Sequence, residues 1–263
     1  DKNLLFKKFW LLPWRSFSDA GWHRIDYLGW TAILHTENSS GPAISTHAHY
    51  DLCSFVLYKD GRELLIDAGR LDYTASAIGR YGIKAHAHNT VTLNGCPPML
   101  LRGDRFFPER YRRALCSVDI KENENNLVMR IDHDGFMRLG GGIKHHIREF
   151  IFSVDNVEII DRLEGNGSYC MESFFHSPSF IPLSDVKHGI VDHQVASHYE
   201  RVNIDVLEAP SAIEMTYLAA STEPIGGWQF SAYGQRSLSM TKHFSIELNL
   251  PATCRYRITD REL

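Results

Sequence analysis

The sequence predicts an all-β protein built as a large antiparallel β-sandwich. Short runs rich in Val, Ile, Leu, Phe and Tyr recur along the whole chain, and turn-forming dipeptides separate them. Helical patterns are scarce, since only residues 73–81 carry a stretch that tolerates a helix. At 263 residues the chain is long enough to bury one large core of this kind.

The predicted strands follow one another at short intervals. They are residues 25–34, 53–59, 62–67, 89–93, 127–131, 143–152, 157–163, 170–175, 202–207, 213–218 and 243–248. The turn markers between them are Asp60-Gly61, Asn94-Gly95, Asp134-Gly135, Asn166-Gly167 and Gly226-Gly227. Such dipeptides supply the positive φ angles of tight turns, so each marks a reversal of the chain. Residues 132–142 (DHDGFMRLGGG) are the best candidate for a flexible loop.

Composition excludes several classes of protein. The net charge is −4, so no nucleic-acid partner is expected. No apolar run reaches the roughly 18 residues that a membrane span requires. The five cysteines are scattered and show no C-x-x-C pattern, so we expect small core residues and no disulfide framework.

One predicted hairpin brings chemically useful residues together. Residues 53–59 and 62–67 are joined by an Asp-Gly turn, and a hairpin places its two ends side by side. His49 precedes the first strand and Asp67 ends the second, so an imidazole lies beside a carboxylate. His88, at the start of a later strand, adds a second imidazole. This donor set suits Zn²⁺, with a fourth position left for water.

Two further histidines share the spacing of this set. Alternate residues of an extended stretch point the same way, so His47 and His49 share a face if that stretch is a strand. One of them can then bind metal while the other faces a substrate. By the same argument His86 is a rival to His88 as a metal ligand.

Several segments of the chain resemble one known family. The segments are residues 17–21 (FSDAG), 47–51 (HAHYD) with 54–55 (SF), 64–69 (LLIDAG), 88–91 (HNTV) with 94–95 (NG), and, more weakly, 161–165 (DRLEG) and 175–178 (FHSP). In their order and approximate spacing they resemble the C-terminal β-sheet domain of the heparinase II/III-like polysaccharide lyases.

The resemblance implies roles for the matching positions. His49, Asp67 and His88 correspond to the family's metal ligands, with zinc as the expected ion. His47 corresponds to the histidine that faces substrate beside the metal. The resemblance also implies that Ala68 departs from a common proline, a change that should leave metal ligation intact.

Three more residues are expected near the substrate. Relatives often carry a tyrosine near the substrate after the aspartate turn, and Tyr73 is expected to take this catalytic position. Tyr81 competes for that role and is otherwise expected to bind substrate. Arg80 is one of several arginines around the motif that could bind an acidic sugar.

The family resemblance also implies an activity and a larger protein. Its members cleave uronate-containing polysaccharides by β-elimination, and an N-terminal helical toroid supplies several of their proton-transfer residues. We therefore expect residues 1–16 to be the linker from a toroid and residues 17–263 to be the β-sandwich domain, inactive by itself. A periplasmic or secreted bacterial protein is expected. The alternative is a metal-stabilised carbohydrate-binding or assembly module without turnover.

Overall fold

Strands dominate the part of the chain that the structure describes. The computed structural model describes residues 12–36, 48–100, 114–179 and 181–261, except for the side chain of Leu183. Strands make up 54% of the structure and helices 11%, and the sheets are antiparallel. This confirms the predicted all-β class. In these ranges no helix is long and apolar enough to cross a membrane.

The elements are numbered here in chain order. The strands are β1 (Trp14–Phe17), β2 (Trp22–Tyr27), β3 (Trp30–His35), β4 (Phe55–Lys59), β5 (Arg62–Leu65), β6 (Val91–Leu93), β7 (Cys116–Glu122), β8 (Leu127–His133), β9 (His145–Phe152), β10 (Val157–Glu164), β11 (Ser168–Pro178), β12 (Ile190–Val191), β13 (Val202–Glu208), β14 (Ile213–Leu218), β15 (Ser221–Thr222), β16 (Ile225–Gly226), β17 (Trp228–Ala232), β18 (Gln235–Asn249) and β19 (Ala252–Asp260). The helices are α1 (Ala77–Tyr81) and α2 (His193–Tyr199), with 3-10 segments at Ser18–Ala20, Ala85–Ala87, Gly135–Leu139 and Leu183–Asp185.

The strands form three main sheets. The first is a meander in the order β1-β2-β3-β4-β5. The second has the order β13-β19-β10-β9-β8-β7, and the third has the order β12-β14-β18-β11-β6, with β17 also paired to β18. A small ribbon, β15-β16, is separate. The chain crosses between the second and third sheets several times, for example from β10 to β11 and from β18 to β19, as expected for a sandwich.

One continuous apolar core joins all three sheets. Phe55 of β4 meets Phe150 of β9 edge to face, with ring centres 5.0 Å apart. Phe175 of β11 meets Tyr256 of β19 in the same way at 5.4 Å. Along β8 fully buried and half-buried residues alternate, as they do on a strand with one face in a core. The sheets therefore pack face to face as a β-sandwich.

The predicted hairpin that carries the candidate site is formed by β4 and β5. Asp60 and Gly61 have φ angles of 49° and 78°, as a tight hairpin turn requires. The pairing shifts by an irregularity between Leu57 and Tyr58. Since β5 ends at Leu65, two residues earlier than predicted, Asp67, the predicted metal ligand, lies just beyond the end of the strand.

Several strand predictions are correct in place and wrong in extent. β14 has the predicted bounds, whereas residues 25–34 are two strands, β2 and β3, that pair with each other. The chain reverses at Leu28 and Gly29, whose φ angles are 49° and 81°. Leucine is not a usual turn residue, so Gly29 alone marks this reversal in the sequence. β18 is longer than the predicted 243–248, and β7 and β19 were not predicted.

The helix and loop predictions also need correction. The helix predicted at 73–81 is confined to α1, where the Ser76 side chain caps the start by accepting from the Gly79 N–H at 3.1 Å. A second helix, α2, was not predicted. Residues 132–142 are not a single flexible loop, because they contain the end of β8 and the 3-10 segment Gly135–Leu139, whose Phe136 is buried in the core.

The first sheet begins earlier than the predicted domain boundary. β1 starts at Trp14, inside the segment expected to be a linker, and pairs along its whole length with β2. The Arg15 side chain binds Asp26 of β2 at 2.8 Å, which anchors this edge strand.

Candidate metal and substrate site

Asn89 connects the elements that form the site. Its side-chain amide donates to the carbonyl oxygens of Phe55 at 2.6 Å and Ile66 at 3.0 Å. Its side-chain oxygen accepts from the N–H of His176 at 2.7 Å. The three partners belong to β4, to the chain just after β5, and to β11. Because Asn89 is buried, these bonds are shielded from water. They fix the backbone at Ile66 and at Asn89, and so they also position the residue after Ile66 and the residue before Asn89.

Those neighbours, Asp67 and His88, meet directly. The Nδ1 atom of His88 lies 2.6 Å from Oδ2 of Asp67, and Oδ1 of Asp67 accepts from the Gly69 N–H at 2.7 Å. His88 is fully buried, whereas the Asp67 side chain is 42% exposed, so the carboxylate opens the pair to solvent. Burial raises the pKa of Asp67, but His88 and the Gly69 amide outweigh this effect and lower the pKa to about 2. Burial lowers the pKa of His88, and the Asp67 charge outweighs this and raises it.

His49 stands beside this pair. Its ring centre is 5.2 Å from that of His88, and the side chain is half-buried. Burial lowers the pKa of His49, and the positive charges of His88 and Arg70 lower it further. His49 is therefore neutral near pH 7, which is the form of imidazole that binds metals.

The donors at this site fit zinc in type. Two imidazoles and one carboxylate are common zinc ligands, and Nε2 of His88 is buried without a hydrogen-bond partner. Two ligand atoms of a tetrahedral zinc lie about 3.3 Å apart, so the 2.6 Å between His88 and Asp67 is a direct hydrogen bond. Across the described ranges no three His, Cys, Asp or Glu side chains form a preformed metal-binding group. Two of the predicted ligands are thus in contact, and His49 adjoins them.

His176 is a further histidine behind the site. Its Nδ1 lies 2.9 Å from the hydroxyl of Thr241, which itself accepts from the Gly227 N–H at 2.9 Å. This hydrogen bond fixes the orientation of the His176 ring, whose buried Nε2 has no hydrogen-bond partner among the described residues. Burial lowers the pKa of His176 to about 3, so the ring is neutral. The weak family match at residues 175–178 was the only sequence signal for this residue.

His86, the predicted rival of His88, faces a different part of the surface. Residues Ala85–Ala87 form a 3-10 turn and are not extended, so the two histidines do not share a face. His86 lines a separate cleft of about 410 Å³ together with Tyr50 and Lys84. His88, and not His86, contacts the carboxylate of Asp67.

The predicted substrate residues differ in accessibility. Tyr73 is 61% exposed, and Arg80 is exposed as well. Tyr81 is buried, with its ring packed edge-on against Phe230 at 6.1 Å. This placement favours a packing role for Tyr81 and leaves Tyr73 as the accessible tyrosine. His47 lies outside the described residues.

A buried charged network supports the site from the second sheet. Arg148 donates to both oxygens of Asp161, at 2.7 and 2.9 Å, and to the carbonyl oxygens of Asn89 at 3.1 Å and Cys53 at 3.2 Å. Nε2 of His146 lies 2.8 Å from the same aspartate. Arg148 is thus a support of the site that sequence reasoning missed, because it lies within an ordinary strand pattern.

Comparison with known proteins agrees with this fold. The family model described as heparinase II/III-like, C-terminal, matches residues 11–260. A mutant of the heparan sulfate lyase HepC from Pedobacter heparinus superposes with a TM-score of 0.68 and 15% identity, over 96% of this chain and 37% of that one. A heparinase III superposes with a TM-score of 0.64 and 15% identity, over 95% of this chain and 37% of that one. No curated protein matches the sequence.

These similarities differ in what they establish. The chain spans 37% of the length of each of the two solved lyases, and at 15% identity the superpositions establish the fold alone. The family model, by contrast, matches nearly the whole chain, including the segment with Asp67 and His88. The chain therefore belongs to the heparinase II/III-like C-terminal family.

Proposed function

We propose that this chain is the β-sandwich domain of a polysaccharide lyase that cleaves a uronate-containing glycan by β-elimination. The observation that carries the proposal is the Asp67–His88 contact at 2.6 Å, with His49 beside it, in a member of this family. The similar solved structures are a heparan sulfate lyase and a heparinase III, which supports the choice of an acidic polysaccharide as substrate.

The chemistry of β-elimination defines what the site must supply. The reaction removes the C5 proton of a uronic acid and expels the oxygen linked at C4. Because that proton is only weakly acidic, the adjacent carboxylate must be neutralised by preorganised cationic or hydrogen-bonding groups. A general base and acid must also reach the sugar, and histidine suits both roles near neutral pH. We assign this role to His47, with the exposed Tyr73 as the second catalytic residue.

The proposal includes a zinc ion at the same site. His49, Asp67 and His88 would hold it, since their donor types match and two of them are already in contact. When bound, the ion would chiefly fix the segment that carries His47. Its role in the proposal is therefore structural.

The proposal also concerns the larger protein. The chain spans 37% of the length of the similar lyases, so a helical toroid in the same protein is the proposed partner domain. The proposed location is the bacterial periplasm or the exterior. Because the chain covers only this share of the lyases, we retain a second candidate function, a carbohydrate-binding or assembly module without turnover.

Product formation by the full-length protein tests the proposed function. Unsaturated uronate ends absorb in the ultraviolet, so cleavage of heparan sulfate, alginate, hyaluronan or chondroitin is followed directly, with capsular uronates as the next panel. We expect His47→Ala to lower the rate by roughly 10²–10⁴, the usual effect of losing a general acid or base, and to leave the zinc content unchanged.

A matched control separates this role from a general effect. His145→Ala removes a half-exposed histidine of β9 that binds Asp132 at 2.8 Å, and it should keep the wild-type rate. Wild-type activity in His47→Ala would remove His47 from the mechanism. The absence of unsaturated product from every uronate would exclude the lyase and leave the binding module.

A further inference from the structure

Two tyrosine rings stand exposed beside the candidate site. Tyr73 is 61% exposed and Tyr233 is 71% exposed, and their ring centres are 6.1 Å apart with a tilt of 31°. Tyrosine usually buries much of its ring, so a paired, exposed arrangement indicates a surface for a ligand. Tyr233 lies at the tip of the β17–β18 hairpin, far from Tyr73 in sequence.

The hairpin is tied to the loop that follows the metal-site aspartate. The Phe230 N–H donates to the Ala68 carbonyl at 2.7 Å, and the Gly234 N–H donates to the Leu71 carbonyl at 2.7 Å. Gly69 lets the two segments approach, because a Cβ there would stand 2.5 Å from the Phe230 oxygen. The tyrosine pair is thus built by backbone contacts and does not depend on a flexible loop tip.

Arg70 adds a positive charge to this pair. Its guanidinium carbon lies 4.0 Å from the centre of the Tyr73 ring, and its Nε donates to the Asp72 carbonyl at 3.0 Å. Within the described ranges no ion pair joins Arg70 to a carboxylate. Arg70 follows Asp67 by three residues, and its charge contributes to the low pKa of His49. The guanidinium therefore lies at the edge of the candidate site with its charge available to an anion.

We propose that Arg70, Tyr73 and Tyr233 form a subsite for one anionic sugar of the polysaccharide. The guanidinium fork matches a carboxylate or a sulfate, which it binds by two parallel hydrogen bonds. The negatively polarised faces of the tyrosine rings suit the C–H edges of a sugar ring. The subsite rests on the proposed function, and it assigns a binding role to Tyr233 and Arg70.

Binding of defined tetrasaccharides to the full-length protein tests the subsite. Calorimetry in the His47→Ala background limits turnover while it compares a heparan sulfate tetrasaccharide, an unsulfated hyaluronan tetrasaccharide and neutral cellotetraose. We expect the acidic probes to bind and the neutral one to bind far more weakly. A preference between the two acidic probes identifies sulfate or carboxylate as the anion bound by Arg70.

The variants separate charge from stacking. Arg70→Gln should weaken binding of the acidic probes roughly 10- to 100-fold, the effect of losing charge-assisted hydrogen bonds. Tyr233→Ala should weaken binding roughly 10-fold, whereas Tyr233→Phe should stay within about twofold of the unchanged protein because the ring remains. The affinity of Arg70→Lys should lie between those of the unchanged protein and of Arg70→Gln, since lysine keeps the charge and loses the planar fork of the guanidinium.

Two controls match these changes elsewhere on the surface. Leu115 is as exposed as Tyr233, at 71%, and Lys121 of β7 is an exposed cation paired with Asp119. Leu115→Ala and Lys121→Gln should leave the affinity unchanged. Circular dichroism and thermal unfolding of each variant establish that the fold is retained.

Salt gives a second readout that a merely structural role would not produce. Raising the ionic strength should weaken binding by the unchanged protein and reduce the difference caused by Arg70→Gln. The factor caused by Tyr233→Ala should stay nearly constant, because stacking is not screened.

The outcomes distinguish this subsite from the proposed function. Unchanged affinity in both Arg70→Gln and Tyr233→Ala, with unsaturated product still formed by the wild type, overturns the subsite alone. Weakened binding in these variants without any unsaturated product supports the subsite and overturns the lyase. Failure of the acidic probes to bind, together with a lack of product, overturns both.

Discussion

At the scale of single residues, one side-chain amide connects three of the elements that shape the candidate site. Asn89 satisfies three buried backbone groups, on Phe55, Ile66 and His176, that would otherwise lack a shared partner. Each bond spans a different pair of elements, so the positions of Asp67 and His88 depend on this side chain. No apolar residue of similar size supplies both the donor and the acceptor of this amide.

Asn89→Ala should therefore destabilise the protein and disorder the site. Three backbone groups lose their partner inside the core, and unsatisfied buried groups cost about 1–3 kcal/mol each, so we expect a loss of at least about 3 kcal/mol. Chemical denaturation measures it. Asn123→Ala, which removes an exposed turn bond to Asn126 at 2.7 Å, should change stability by less than about 0.5 kcal/mol. Equal effects of the two substitutions would contradict the central role of Asn89.

The sequence predicts the proximity of the candidate ligands better than it predicts the residues that support them. The Asp-Gly hairpin turn is a local signal that places Asp67 near His49, whereas the choice of His88 over His86 rests on the family motif. Asn89 and Arg148 act through backbone atoms distant in the chain, and no local pattern encodes such contacts. Tyr233 likewise joins the site through a hairpin whose position depends on the whole third sheet.

At the scale of elements, the β9–β10 ladder carries a charged pair across its inner face. Arg148 and Asp161 are directly opposite in the antiparallel register, so their contact is a consequence of strand pairing. Both side chains are fully buried and joined by two hydrogen bonds. Burial raises the pKa of Asp161, but Arg148 and His146 lower it far more, to well below its ordinary value.

Asp161→Asn should reveal this pair through pH. A depressed pKa in the folded state stabilises the protein fully above about pH 4, the pKa of an unfolded aspartate, and the effect is lost as pH falls below it. The free energy of unfolding of the variant should be lower by roughly 3–5 kcal/mol at pH 7, because Arg148 remains buried without its charged partner. Between about pH 4 and pH 2 its stability should fall less steeply than that of the wild type, by about 1.4 kcal/mol per pH unit.

The control for this prediction is another aspartate on a strand. Asp119 of β7 is 57% exposed and binds Lys121 at the surface. Asp119→Asn should change stability by less than about 0.5 kcal/mol at pH 7. A wild-type slope in Asp161→Asn would show that the buried pair does not govern acid stability.

Strand predictions failed where pairing, and not local pattern, defines an element. β19 carries Arg255 and Arg257 on its outward face, and both bind Glu158 of β10. Their partner lies far away in the chain, so the local sequence does not show how the charges of this strand are paired. The β2–β3 reversal at Leu28 is similar, since the pairing of the two strands stabilises a turn that the residue itself does not favour.

At the scale of the whole molecule, the sandwich holds the loops of the candidate site together at one of its edges. A continuous core joins all three sheets, and the loops after β5 and before β6 emerge beside the β17–β18 hairpin at the same edge. The all-β class followed from the regular spacing of apolar runs and turns. The layering did not, because the crossings at β10–β11 and β18–β19 depend on packing between distant segments.

We propose that this edge of the sandwich functions through a zinc site formed by His49, Asp67 and His88. Metal analysis of the full-length protein after dialysis tests it most directly. We predict about one zinc per chain in the wild type and in the His145→Ala control, as expected for a site with three protein ligands and an open position. His49→Ala and Asp67→Ala should each lose most of this zinc and lower the unfolding temperature. Unchanged zinc content in both variants, or a wild-type protein that binds none, would contradict the proposed site.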